Sequence, residues 1–148
     1  MRILFFLLVS CSVFAQQSIQ VTDLLKIKTV GKPAFSPDGK SILYTVTSIE
    51  DDAEKKGDFV YQTHLFVADL ATKTNRPLTA GKFSISSPSW SSDGRSILFS
   101  RDMGAKAQAY VLSLAGGEPI AATNFPSGVQ NPVWSKAGDA VFFQSSIS

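Results

Sequence analysis

Pro88-Ser-Trp-Ser-Ser-Asp-Gly-Arg-Ser-Ile-Leu-Phe99 decides the fold, because two other stretches align with it without a gap: Pro33-Ala-Phe-Ser-Pro-Asp-Gly-Lys-Ser-Ile-Leu-Tyr44 and Pro132-Val-Trp-Ser-Lys-Ala-Gly-Asp-Ala-Val-Phe-Phe143. Each copy opens on a proline, places an aromatic residue two positions on, and follows it with a serine, a glycine and an apolar run closed by an aromatic. The serine, followed by Pro or Ser and then Asp, suits a type I turn. The glycine supplies the left-handed residue that returns the chain to its own ladder, so each copy predicts a strand–turn–strand unit. The runs Ile42-Leu43-Tyr44, Ile97-Leu98-Phe99 and Val141-Phe142-Phe143 are apolar on both faces, as strands covered on both sides require.

Spacing turns the repeat into an architecture. Pro88 and Pro132 are 44 residues apart, and Leu70 to Leu114 and Thr79 to Thr123 keep the same offset. The first interval, Pro33 to Pro88, is 55 residues. Its extra eleven residues fall between Thr47 and Thr63, in the charged segment Glu50 to Asp58, because Tyr44 to Phe66 spans 22 positions where Phe99 to Tyr110 spans 11. A period in the forties carrying four short strands is the pattern of a β-propeller blade. Strands are predicted near 33–36, 41–47, 62–69 and 75–79, and again near 88–91, 96–101, 107–113 and 119–123.

The fold class is therefore all-β: an incomplete β-propeller of four-stranded antiparallel blades, two whole and a third begun. The blades occupy about 32–80, 81–124 and 125–148, within a propeller region of 32–148. A lead-in of 16–31 precedes them, with a short helix over Asp23 to Lys28 capped by Thr22. Two blades and a hairpin do not close a ring, which takes at least four blades. The sequence thus reads as a portion of a longer protein, with assembly from several copies as the alternative.

Composition fits a folded chain. Of 148 residues 44 % are hydrophobic and 18 % charged, with 11 phenylalanines. A formal charge of +2 with no basic stripe argues against nucleic acid. Residues 1–15 differ in kind: Arg2, the apolar run Ile3 to Val9, and Val13-Phe14-Ala15 form a secretion signal cut between Ala15 and Gln16. That run is too short to span a membrane. The competing reading is a lipobox, Leu8-Val9-Ser10-Cys11, in which Cys11 is acylated. Both readings export the chain to the periplasm or beyond. With one cysteine, no disulfide framework exists.

The lead-in and first repeat, Val21-Thr-Asp-Leu-Leu-Lys-Ile-Lys through Gly31-Lys-Pro-Ala-Phe-Ser-Pro-Asp-Gly-Lys, resemble the start of an exported prolyl oligopeptidase family serine peptidase, in its acylaminoacyl- and dipeptidyl-peptidase-like branch. The resemblance continues through His64-Leu-Phe-Val-Ala-Asp-Leu, Arg76-Pro-Leu-Thr and Pro88-Ser-Trp-Ser-Ser-Asp-Gly-Arg. The Ser-Pro-Asp-Gly-Lys repeat by itself is shared with TolB-like propellers. What the resemblance implies is an α/β-hydrolase domain and further blades in the same polypeptide, a peptide substrate, and a propeller that restricts access to the active site. No catalytic residue is carried over, since no Gly-x-Ser-x-Gly occurs in the chain. The rival function is a non-enzymatic, TolB-like module that binds a partner protein in the cell envelope.

The remaining polar residues read as structural. His64, the only histidine, falls at the start of a strand, without the serine and carboxylate of a triad or the further ligands of a zinc site. Glu50 to Asp58 lacks the alternating oxygens and central glycine of a calcium loop and reads as a solvated, mobile blade loop, though the resemblance implies that a first-blade insertion of this kind reaches toward the substrate cavity. Asp38 and Asp93 sit in turns, where a carboxylate bonds local backbone amides. With Gly39, Gly94 and Gly138 they mark the three repeat turns, and Ala137 replaces the acid in the third. Trp90 and Trp134 recur at one blade position, which points to packing. Gly116-Gly117 is a tight turn with no helix after it to cradle a phosphate. No cofactor or metal is called for.

Overall fold

The computed structural model describes residues 20–52, 54–102 and 106–146. The secretion signal of residues 1–15, its cut between Ala15 and Gln16, and Cys11 lie outside the described residues. No helix among those described is long and apolar enough to cross a membrane.

The first sheet contains β1 (Thr29–Val30), β2 (Ala34–Phe35), β3 (Ser41–Asp51), β4 (Phe59–Asp69) and β5 (Thr74–Pro77). β1 and β2 are two halves of one edge, both antiparallel to β3, and the order continues through β4 to β5. The edge breaks at Gly31, where any β-carbon would collide with Thr45 Oγ1, while the Gly31 N–H donates to Thr45 O at 2.8 Å. The second sheet runs β6 (Ser84–Trp90), β7 (Ser96–Asp102), β8 (Gln108–Ser113) and β9 (Ile120–Ala121) in simple order. The third is the hairpin β10 (Gln130–Trp134) with β11 (Val141–Gln144). Register shifts between Ser86 and Ser89 and between Gln130 and Val133 mark the same bulge one repeat apart. Ser87 (φ 51°) and Asn131 (φ 48°), each just before the repeat proline, take the left-handed conformation there.

Strand periodicity sorts the apolar residues between neighbours. Ile97 and Phe99 point back at the first sheet, where with Ile85 and Leu112 they enclose Leu43 and Leu65 in one core. Leu98, between them in sequence, points forward to Ala109 and Val129, with Trp134 and Val141 of the third sheet packed on top. The second strand of the middle blade is therefore buried on both faces, which explains its unbroken apolar run. The described sheets stack as successive blades and do not close on themselves.

Two details correct the sequence reading. The lead-in helix is a 3₁₀ turn over Val21–Lys26, begun by Gln20 in place of Thr22. The reason is Asp23, whose Oδ2 accepts from the Gln20 N–H at 2.8 Å while its Oδ1 accepts from Lys26 Nζ at 2.7 Å. Ile27 is extended, which stops the helix there. The insertion in the first blade is mostly not a loop. β3 and β4 stay paired through 11 rungs, from Ser41 opposite Asp69 to Asp51 opposite Phe59, so the reversal comes only after Asp51. Within this extended part of the ladder the Thr47 and Thr63 hydroxyls are hydrogen-bonded across the two strands at 2.8 Å. The Asp52 N–H donates to Asp58 O at 2.9 Å and closes the ladder.

Candidate functional site

The repeat turns lie at one end of the blades. In the first, Ser36 Oγ donates to Asp38 Oδ1 (2.6 Å) and accepts from the Ser41 N–H (2.9 Å), while Asp38 Oδ1 also accepts from the Lys40 N–H (3.1 Å). The second copies this atom for atom: Ser91 Oγ to Asp93 Oδ1 at 2.6 Å, Ser96 N–H to Ser91 Oγ at 2.9 Å, Arg95 N–H to Asp93 Oδ1 at 3.0 Å. The hydroxyl of the paired serine, then the backbone N–H, holds each carboxyl below the usual carboxylate range. Both acids are engaged in turn bonding.

In the third turn Ala137 occupies the acid's place, and Asp139 supplies the carboxylate from two residues further on, accepting from Ser135 Oγ at 2.7 Å. Ser135 Oγ in turn accepts from the Gly138, Asp139 and Ala140 amides at 3.1–3.2 Å. Sequence alignment missed this substitution because it compares like positions, and the carboxylate moved to another one.

The glycines of these turns do a second job. A β-carbon on Gly94 would lie 3.4 Å from Pro37 Cδ of the preceding blade, and one on Gly138 would press to 2.6 Å from Ser92 Oγ. Pro37 and Ser92 are the same repeat position. Each turn thus seats its glycine against the residue after the serine of the blade before it. Gly39, in the same conformation (φ 70°), has nothing within 4 Å.

At the far end of β3, about 30 Å away along the strand, the extended hairpin and the connector from β5 to β6 enclose a cleft of about 790 Å³. Glu50, Asp52, Gln62, His64, Lys82 and Phe83 are among the residues that line it. The hydrogen-bond network assigns the Gln62 amide so that its nitrogen donates to Glu50 Oε2 (3.2 Å) and Gly81 O (2.9 Å), tying the hairpin to the connector. His64 Nδ1 is buried without a hydrogen-bond partner, and its ring stands edge-on to Phe83 at 6.1 Å. Among the described residues no serine or cysteine bonds to His64, and no group of three His, Cys, Asp or Glu side chains could hold a metal ion. Beside the cleft, the Arg101 guanidinium lies 3.5 Å from the Phe83 ring centroid and 5.3 Å from that of Tyr110. Such contacts are worth about 0.5–2 kcal/mol. Neither the cleft nor this stacked arginine was visible in the sequence, since both depend on where a connector crosses a neighbouring strand.

Trp90 packs on the first core and donates from Nε1 to Ala34 O of the preceding blade at 3.0 Å. Trp134 packs on the second, but its Nε1 is buried without a partner.

The family model described as the TolB beta propeller domain matches residues 12–147. The chain belongs to the TolB β-propeller family. Over 130 residues it is 30 % identical to an uncharacterized peptidase, YuxL, of Bacillus subtilis (strain 168), covering 87 % of this chain and 19 % of the relative. It is 26 % identical over 126 residues to dipeptidyl-peptidase 5 of Porphyromonas endodontalis, covering 84 % of this chain and 17 % of the relative. The chain thus spans about a fifth of the length of these curated relatives. Acylaminoacyl peptidase of Pyrococcus horikoshii superposes with a TM-score of 0.63 at 17 % identity, over 81 % of this chain and 17 % of that one. At that identity the superposition speaks for the fold, and it agrees with the antiparallel blades described above.

Proposed function

We propose that this chain is the amino-terminal propeller portion of an exported serine peptidase. In that protein an α/β-hydrolase domain and further blades belong to the same polypeptide, and the propeller limits which peptides reach the active site. One observation carries the reading: the two curated relatives named above are peptidases, and this chain matches only 19 % and 17 % of their lengths. The arrangement of residues agrees, since the carboxylates of the repeat turns are occupied by local bonds and, among the described residues, no serine or cysteine is hydrogen-bonded to His64. Peptide-bond hydrolysis then requires a serine from another part of the protein, acting through an acyl-enzyme. Within this portion, the extended β3–β4 hairpin and its cleft are the parts set to meet substrate.

The test has two steps. Downstream nucleotide sequence is expected to encode a Gly-x-Ser-x-Gly elbow followed by Asp and His, and blades running to a stop codon would overturn the proposal. The purified chain is expected to leave peptide p-nitroanilides intact, whereas the full product cleaves them and loses that activity to an active-site serine reagent. A non-enzymatic TolB-like module for protein binding in the envelope is the second reading, favoured by the family match alone.

A further inference from the structure

One strand position breaks the repeat. Val46, Arg101 and Ser145 occupy it, each two residues past the aromatic that closes the apolar run, Tyr44, Phe99 and Phe143. The surroundings in the first two blades are alike: Val46 is paired with Val30 and His64, and Arg101 with Ile85 and Gln108. Ile85 is 3 % exposed and belongs to the core between those blades. A cation therefore stands where the first blade places valine, at a joint whose two sides are both whole blades of this chain.

Among the described residues nothing neutralises it. All twelve Asp and Glu side chains of the sequence belong to described residues, and the ion pairs found there are Lys26 with Asp23 and Lys40 with Asp38. The Arg101 guanidinium makes no hydrogen bond among the described residues, and its Nε is buried without an acceptor. Burying part of an arginine without a counter-charge is unfavourable, and stacking on two rings offsets only part of that cost. What the stacking does supply is position. The guanidinium is held 3.5 Å from the Phe83 ring centroid, so the donors left to it are fixed in direction, and a fixed planar fork of N–H groups matches a carboxylate.

The neighbouring cleft gives such a group a way in. Phe83, on whose ring Arg101 stacks, lines the cleft, and so does Lys82 beside it in sequence. Among the connector residues that line it Lys82 alone is charged. On the hairpin side the carboxylates bond within their own strand pair and turn: Glu50 accepts from Ser48 Oγ and from the Gln62 amide, and Asp52 from the Glu54 and Lys55 N–H groups.

We propose that Arg101 is a carboxylate-binding residue at the margin of this cleft, and that its ligand is a peptide bearing that carboxylate at its C-terminus or on a side chain. That the ligand is a peptide rests on the peptidase reading, whereas the unpaired cation and its repeat position do not.

The experiment is isothermal titration of the full-length product, treated beforehand with a serine-directed reagent so that nothing is cleaved. The probes are acetyl-Ala-Ala-Ala with a free C-terminus, acetyl-Ala-Glu-Ala amide, and acetyl-Ala-Ala-Ala amide, which carries no carboxylate. Saturable binding of the first or the second, with none of the third, is expected, and the one that binds tells which carboxylate is read. Arg101→Met is expected to keep the parent's circular dichroism and to lose about tenfold or more in affinity, as removal of a charge-assisted hydrogen bond implies. Arg101→Lys keeps the charge without the planar fork and is expected to bind more weakly than the parent. Equal binding of all three probes, binding of none, or undiminished affinity in either folded variant would overturn the proposal. Binding by the purified chain that the full-length product lacks would overturn it too, by assigning the carboxylate to another segment of the polypeptide. Cleavage plays no part in the titration, so the peptidase reading stands or falls apart from it, on the downstream sequence.

Discussion

The two blade interfaces are built from the same repeat and are not equally strong. Between the first and second blades six buried side chains meet, Phe99 and Leu65 among them, and the Trp90 indole reaches back to a backbone carbonyl. Between the second and third the buried set is Leu98, Ala109 and Val129, and the Trp134 indole is buried with its N–H unpaired. A full four-stranded blade covers its neighbour with its inner and outer strands. The described part of the third sheet is a hairpin, and it covers less. Among the described residues, how much each interface buries follows from how many strands face each other, since the motif residues are nearly the same in both.

The largest effect expected is at the two equivalent phenylalanines. Phe99→Ala should cost about 3–5 kcal/mol, because the side chain is fully buried and leaves a cavity. Phe143→Ala should cost about 1 kcal/mol, mainly the edge contact with Phe125 at 5.8 Å. Urea unfolding of both variants, at concentrations where the chain is monomeric, measures the gap. Equal costs would mean that the two interfaces do not differ as described.

The tryptophans sharpen the comparison at a smaller scale. Trp90→Phe removes the indole donor from the Ala34 carbonyl, which keeps its ladder partner in β3, and should destabilise by about 0.5–1.5 kcal/mol. Trp134→Phe removes a donor that already lacks a partner, so it should cost less than about 1 kcal/mol. The difference between the two variants combines that hydrogen bond with the denser packing around Trp90.

Much of this was legible beforehand. The four-strand period, the repeat turns and the burial of the middle blade's second strand on both faces follow from local turn chemistry and from alternation, which a single sequence displays. The carboxylate of the third turn did not, because Asp139 acts from a position the alignment assigns to Lys40 and Arg95. Nor did the length of the β3–β4 hairpin, since Glu50, Asp51 and Asp52 read as solvated loop although Ile49, Val60 and Tyr61 carry a strand pattern on either side. The sequence also did not distinguish Trp90 from Trp134. Their difference lies in the backbone carbonyl each one meets, and a repeat alignment aligns side chains only.

The smallest predicted effect concerns pH and the second turn. Bonding to Ser91 and the Arg95 amide lowers the Asp93 pKa in the folded chain from its ordinary 3.8. A group with a depressed folded pKa adds stability above its unfolded value, and that stability is lost as pH falls through the folded one. Asp93→Asn should therefore be slightly less stable at neutral pH and lose stability less steeply below the ordinary carboxylate range. Melting temperature against pH tests this, and an unchanged acid limb would show that Asp93 is not held as described.

The seating of each turn glycine on the blade before it also has a meaning for how such chains lengthen. A unit of 44 residues carries its own socket, the glycine, and its own plug, the residue after the serine. Tandem duplication of that stretch of gene copies plug and socket together, so the inserted unit fits both neighbours with no new contact to be selected. The joints themselves then impose no blade number, which is set instead by closure of the ring.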